Sequence, residues 1–277
     1  MGRLSTTLGA AWDALCADHG TRRGRNAFAG MLGTLLFLFP FGLVFVALQV
    51  LPERFSWTSS VVIVLSAIVT ALSESRAVAF RRAAAGLLLL CALLFGIEYL
   101  GVTTGMPFGR YTYTSSLGLT VAGVPLAIAC AWYSTVMNAW RISRGLSAGR
   151  AGSMVRVPAS AAVLTLALDI ALEPMASRVT RYWLWEGDHV PLQNYATWMV
   201  FAGLASMLLS RFYDTAPAQR DSVTLTSGLV LGMQFILFLT TDLAQGFVGS
   251  AVLALVVAAL PVLARQRWRL RHAPGRG

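Results

Sequence analysis

Lysine is absent from this chain of 277 residues, so all 22 of its basic residues are arginine. That absence removes one class of function, because a retinal protein holds its chromophore as a Schiff base on a lysine amine. Histidine is scarce as well. His19, His189 and His272 all fall outside the apolar segments where axial haem ligands would have to sit, so ordinary haem ligation is not expected. Three cysteines occur, Cys16, Cys91 and Cys130. An odd, scattered set makes neither a disulfide framework nor a zinc or other metal site, and packing is their expected role. No glycine-rich phosphate loop is present. The first 25 residues lack the apolar core of a signal peptide. Charged residues make up only 12% of the chain against 56% hydrophobic, which excludes a soluble domain of ordinary composition.

What is present is a series of apolar runs long enough to cross a bilayer. Eight can be read, at about 27–50, 55–73, 83–102, 117–140, 157–177, 190–210, 222–241 and 243–264. The fifth is the exception, because it carries Asp169 and Glu173. The expected fold is all-α, a polytopic transmembrane bundle of about eight helices with both termini cytoplasmic. Residues 1–26 form an N-terminal segment in which Leu4, Leu8, Trp12 and Leu15 can line one face of an interfacial helix. Residues 27–264 form a single transmembrane domain, and 265–277 a basic tail.

The net charge of +10 suggests nucleic acid until the arginines are placed. The termini and alternate connections hold Arg3, Arg22, Arg23 and Arg25, then Arg76, Arg81 and Arg82, then Arg141, Arg144, Arg150 and Arg156, then Arg211 and Arg220, then Arg265, Arg267, Arg269, Arg271 and Arg276. The other connections hold only Arg54, Arg110, Arg178 and Arg181. This is the positive-inside bias of a protein in a cell (plasma) membrane. The basic balance therefore reports topology and contact with anionic headgroups, and no nucleic-acid partner is expected.

That topology gives the acids a depth. Glu98, Asp169, Glu173 and Asp242 all fall near the outer ends of their segments, with Asp242 at a boundary facing water. Glu74, beside Arg76 on the other side, reads as an ordinary surface charge. Ionisable groups in membrane spans are costly and are usually functional. Asp169 and Glu173 are four residues apart and share a helix face. Two like carboxylates in low dielectric cannot both ionise cheaply, so one of the pair is expected to keep its proton. The structural alternative is a set of helix-end clamps, Glu98 with Arg110 and Glu173 with Arg178 or Arg181. Gly101, Gly105 and Gly109 form overlapping GxxxG patterns at a helix end, which points to close backbone packing.

Two stretches resemble each other. "GRYTYTSSLGLTVAGVPLAIACAW" ends at Trp132 and "TRYWLWEGDHVPLQNYATW" at Trp198. Each has Arg-Tyr, aromatics, Val-Pro-Leu and a Trp seven positions after the proline, and each follows an acid-bearing segment. Pro125 and Pro191 suit helix starts. Two hairpins of like orientation are expected, each with an acid, an aromatic loop and a proline-initiated helix. Interfacial chemistry alone also concentrates aromatics there. Acids and aromatics in an apolar pocket suit protonation of a carbon–carbon double bond, with the cation held by aromatic faces and a carboxylate. Water then adds or a proton leaves. The substrate would be a lipophilic molecule arriving from the bilayer.

"EYLGVTTGMPFGRYTY", "GVPL", "DIALEPMA", "WLW" and "VPLQNYATW" together resemble the membrane carotenoid 1,2-hydratases. The resemblance implies addition of water across the terminal 1,2 double bond of an acyclic carotenoid end, giving a tertiary alcohol, with no organic cofactor. It leaves Asp169 and Glu173 to divide the roles of general acid and water-positioning group, with Glu98 a further acid or base. Tyr99, Tyr111, Tyr113, Trp183, Trp185 and Trp198 would line the polyene end, Asn194 would orient water and Arg110 would tune Glu98. Other carotenoid-pathway enzymes are possible partners. The chain departs from the family pattern at Val190 and Thr197, where glycine is expected, which bears on local loop shape. The competing readings are an isoprenoid-lipid cyclase or isomerase, a transporter, and a carotenoid-binding protein without activity. Acids gathered toward one face, with a parallel rather than inverted repeat, weigh against transport.

Overall fold

The computed structural model describes residues 2–148, 152–187, 189–213 and 221–271, with side chains from residue 7 onward. Arg150, Arg220, His272 and Arg276, and the side chains of Arg3 and Leu4, lie outside the described residues. Nine α-helices occur among the described residues: α1 (Gly2–Leu15), α2 (Arg22–Ala47), α3 (Thr58–Glu74), α4 (Phe80–Thr104), α5 (Leu126–Ser147), α6 (Ser153–Glu173), α7 (Leu192–Phe212), α8 (Asp221–Ala244) and α9 (Val248–Arg271). Each of the eight apolar segments falls on one of α2 to α9. Six of these are long and apolar enough to cross a membrane, as in an integral membrane protein; α5 and α7 are not among them. For α5 the reason is position. α5 touches α3, α4, α6, α7, α8 and α9. It is walled by protein on most sides, so it can carry Ser134, Asn138 and Arg141, all buried. The outer helices instead turn Phe37, Leu88, Val200, Val252 and Val256 outward, an apolar surface that suits lipid.

Local sequence sets the ends. Thr21 caps α2, its hydroxyl accepting the Gly24 N–H at 3.0 Å. Gly105 closes α4 in the left-handed conformation, φ 78°. Pro125 and Pro191 immediately precede α5 and α7. After Glu173 the chain widens into a π-helix over Pro174–Val179, since Pro174 has no N–H to give to the α-helical ladder.

The connections are not wholly irregular. β1 (Tyr111–Tyr113) pairs antiparallel with β4 (Trp183–Trp185), and β2 (Thr120–Val121) with β3 (Val124–Pro125). These short ladders qualify the all-α expectation without changing the fold class.

The N-terminal helix packs on the bundle, and the readings of Glu74 and Asp242 need correction. Trp12, Leu15 and Cys16 of the N-terminal region pack with Phe28, Leu32, Val69 and Met233, and the Arg76 guanidinium donates to the Leu15 carbonyl. Trp12 and Leu15 of that face of α1 thus rest on the bundle, and Leu8 remains exposed. Glu74 is not a surface charge: it is 0% exposed and paired with Arg141 of α5. A carboxylate at that depth needs a buried cation, and Arg76 is instead bonded to Ser73, Thr226 and backbone carbonyls. Asp242 does not face water but is fully buried near the end of α8.

Candidate active site

Glu98 is in the next-to-last turn of α4, and Asp169 and Glu173 occupy the last turns of α6. All three are at most 4% exposed. They face a cavity of about 630 Å³ whose wall is almost wholly apolar. The lining includes Phe41, Phe45, Phe55, Trp57 and Val61, each also exposed on the outside. The cavity therefore reaches the flank where α2 meets α3, the surface a bilayer would cover.

The two repeated stretches meet at this site. In the β1–β4 ladder Tyr111 stands opposite Trp185 and Tyr113 opposite Trp183. The Trp132 and Trp198 indoles that close the two repeats stack on each other, with centroids 3.4 Å apart. The hairpins thus pair as two facing halves. Their glycines permit the approach. A Cβ on Gly109, φ 113°, would stand 2.6 Å from Pro191, and one on Gly101 2.7 Å from Phe108 and 2.8 Å from the Tyr111 hydroxyl. Gly101 and Gly109 therefore serve loop packing beneath the site.

Glu98 accepts from the Tyr111 and Tyr113 hydroxyls at 2.6 and 2.8 Å on Oε2, and from Trp132 Nε1 at 2.7 Å on Oε1. Burial, then the neighbouring Glu98 charge, pushes both phenols above their ordinary range, so they remain donors. Glu173 accepts from Trp183 Nε1 at 3.3 Å and Trp185 Nε1 at 3.0 Å, both on Oε2, and from Asn194 Nδ2 at 3.0 Å on Oε1. The same Asn194 nitrogen lies 3.2 Å from Asp169 Oδ2, bridging the two acids. Asp169 Oδ1 is buried without a hydrogen-bond partner. Phenols, indoles and an amide thus stand where arginine clamps were the structural alternative.

Of the residues singled out from sequence, Asp169, Glu173, Glu98, Tyr111, Tyr113, Trp183, Trp185, Asn194 and Trp198 all line the cavity. Tyr99 and Arg110 do not. Tyr99 is exposed on the outside of α4, and the Arg110 guanidinium is turned outward, 3.8 Å from Glu186. Asp242 is also absent from the lining. Trp132 is the residue missed; its place seven after Pro125, matching Trp198 after Pro191, was the available signal. The unexpected Thr197 donates to the Pro107 carbonyl at 3.0 Å, tying α7 to the loop after α4. Val190 packs against the main core.

Residues 58–261 match the family model described as carotenoid biosynthesis protein. A relative from Haloarcula japonica, named bisanhydrobacterioruberin hydratase, is 34% identical over 145 residues, which is 50% of this chain and 49% of that protein. The matched stretch thus spans about half the length of that relative. No solved structure matches. With a family match that runs from the start of α3 into α9 and takes in both acid-bearing hairpins, the chain belongs to the carotenoid biosynthesis protein family.

Proposed function

We propose that this chain is a carotenoid hydratase, adding water to the terminal 1,2 double bond of an acyclic carotenoid end drawn from the bilayer. The observation that carries the reading is the unequal bonding of three buried carboxyls around one apolar cavity. Indole N–H groups can only donate. Glu173 Oε2 receives two of them, which fills both its lone pairs, and Glu98 receives one indole and two phenol donors, so both groups are stabilised as carboxylates. Of the three carboxyls at the cavity, Asp169 has the oxygen, Oδ1, that no donor occupies, and it is the proton's natural seat.

Asp169 then gives its proton to the less substituted alkene carbon, and the π electrons of the double bond form the new C–H bond. The positive charge falls on the tertiary carbon. Glu98, held as an anion by three donors, and the stacked Trp132 and Trp198 faces stabilise it. Water adds to the cation and gives up a proton to Glu173. The Asn194 bridge holds Glu173 beside Asp169, and transfer of that proton back to Asp169 restores the site. Alkene and water are consumed, a tertiary alcohol is formed, and no cofactor enters the balance. The arginine bias supports cytoplasmic termini, a site in the outer half and a cell-membrane location; a C-terminal reporter fusion tests the sidedness.

The deciding experiment expresses the chain in cells that accumulate lycopene, and in others that accumulate bisanhydrobacterioruberin. Pigments are analysed by chromatography and mass spectrometry. A product heavier by water supports hydration. An isomer of unchanged mass would favour a cyclase or isomerase, and bound pigment without conversion a carrier.

A further inference from the structure

Hydration at Asp169 and Glu173 requires water inside a cavity walled by apolar side chains. A line of buried polar residues runs from this cavity to the opposite, arginine-rich end of the bundle. On α3 it comprises Ser66, Thr70 and Glu74, spaced by four residues. On α5 it comprises Ser134, Asn138 and Arg141. Such spacing puts each set on one helix face, and all six are buried.

Ser66 and Ser134 line the cavity itself. Thr70 Oγ1 donates to the Ser66 carbonyl at 2.8 Å and lies 3.5 Å from Ser134 Oγ. Asn138 Nδ2 donates to Thr70 Oγ1 at 3.0 Å and to the Ser134 carbonyl at 2.8 Å. The far end is the Glu74–Arg141 pair. α3 stops at Glu74, and Ala79 and Ala148, just beyond α3 and α5, are exposed. From Ser66 to Glu74 the rise along α3 is about 12 Å.

A purely structural contact closes its hydrogen bonds on itself, and this one does not. Asn138 Oδ1 has no partner although the residue is 1% exposed, and the Tyr133 hydroxyl has none at 0%. Tyr133 stands in the field of Glu74 and Arg141. Buried acceptors of this kind in a polar setting are satisfied by water that makes two to four hydrogen bonds.

We propose that this α3–α5 seam is a water path, leading from the arginine-rich end to the floor of the cavity and supplying the molecule that is added there. The supply role rests on the hydratase reading; the presence of water in the seam does not. X-ray radiolytic hydroxyl-radical labelling of the full chain in lipid nanodiscs, read by mass spectrometry, tests the water directly. Met137, within one turn of Ser134 and Arg141, should label several-fold faster than Met233, which is buried where α8 packs with α2 and α3. Tyr133 should label too. Equal labelling of Met137 and Met233 with Tyr133 unlabelled overturns the path.

Thr70→Val, which keeps the side-chain shape and removes the hydroxyl, tests supply. In deuterated buffer, a cation that water fails to reach returns a proton. The ratio of deuterium-exchanged or isomerised alkene to alcohol should therefore rise several-fold. Labelled Met137 with an unchanged ratio would mean water that does not feed the cavity, and would also overturn the proposal. Ser134→Ala serves the same purpose if Thr70→Val fails to accumulate. A wild-type chain that forms no alcohol overturns the hydratase reading instead, and the labelling still decides the seam.

Discussion

The indoles of Trp132 and Trp198 lie face to face, 3.4 Å between centroids and 8° from parallel, while Trp132 Nε1 donates to Glu98. One side chain thus joins the two repeated hairpins and holds a carboxylate in place. Trp132→Phe retains a ring but loses the N–H. A hydrogen bond to a charged group is worth about 1.5–3 kcal/mol, so alcohol formation should fall roughly 10- to 150-fold. Pigment analysis normalised to protein in the membrane measures it.

The three carboxyls should differ in rank. Asp169→Asn removes the proposed proton donor, and loss of general acid catalysis is expected to cost on the order of 10²–10⁴-fold in rate. Glu173→Gln should slow water capture more than protonation, which raises exchange relative to alcohol. Glu98→Gln should depress both steps together. Equal losses with an unchanged product ratio in all three variants would remove the division of labour.

The pair of Glu74 and Arg141 is enclosed at 0% and 1% side-chain exposure. Removing one partner leaves a buried charge, at a cost of about 3–5 kcal/mol. Arg141→Met alone should lower the melting temperature in detergent sharply. Combined with Glu74→Leu, it should recover much of the loss, because two apolar side chains carry no desolvation penalty.

Gly101→Ala places a methyl 2.8 Å from the Tyr111 hydroxyl and 2.7 Å from Phe108. Overpacking of this kind costs about 1–3 kcal/mol. The variant should lose both thermal stability and activity. Tyr111→Phe, which removes the bond to Glu98 without crowding, should lose activity with little loss of stability.

His19, between α1 and α2, has its imidazole pushed down to about 4 by burial, then by the Arg76 charge. The folded value lies below the unfolded one, so its contribution is complete above pH 6.5 and is lost as pH falls toward 4. The docking of α1 should weaken over that window. The melting temperature of His19→Gln, set against that of the wild type, should show a smaller decline between pH 7 and pH 4.

The apolar segments were readable because a membrane helix advertises itself by length and composition, which need no knowledge of neighbours. The acids Glu98, Asp169 and Glu173 were readable because charge is rare in such segments. Glu74 was misread for the complementary reason. Its local neighbour is Arg76, whereas its partner Arg141 stands 67 residues away, and no local pattern announces that pairing. The resemblance implies Tyr99 at the site, yet neighbours along a helix point about 100° apart, so burying Glu98 turns Tyr99 outward.

The sequence by itself determined a helical membrane protein with a repeated acid–aromatic–proline hairpin, since these depend on composition and on short periodic spacing. Tertiary structure alone decided that the two hairpins face each other, that Trp132 holds Glu98 while the indoles of β4 hold Glu173, and that Asp169 keeps one oxygen free of donors. Which donors surround a carboxyl depends on helices brought together from distant parts of the chain, and that packing, rather than the identity of the acids, distinguishes their roles.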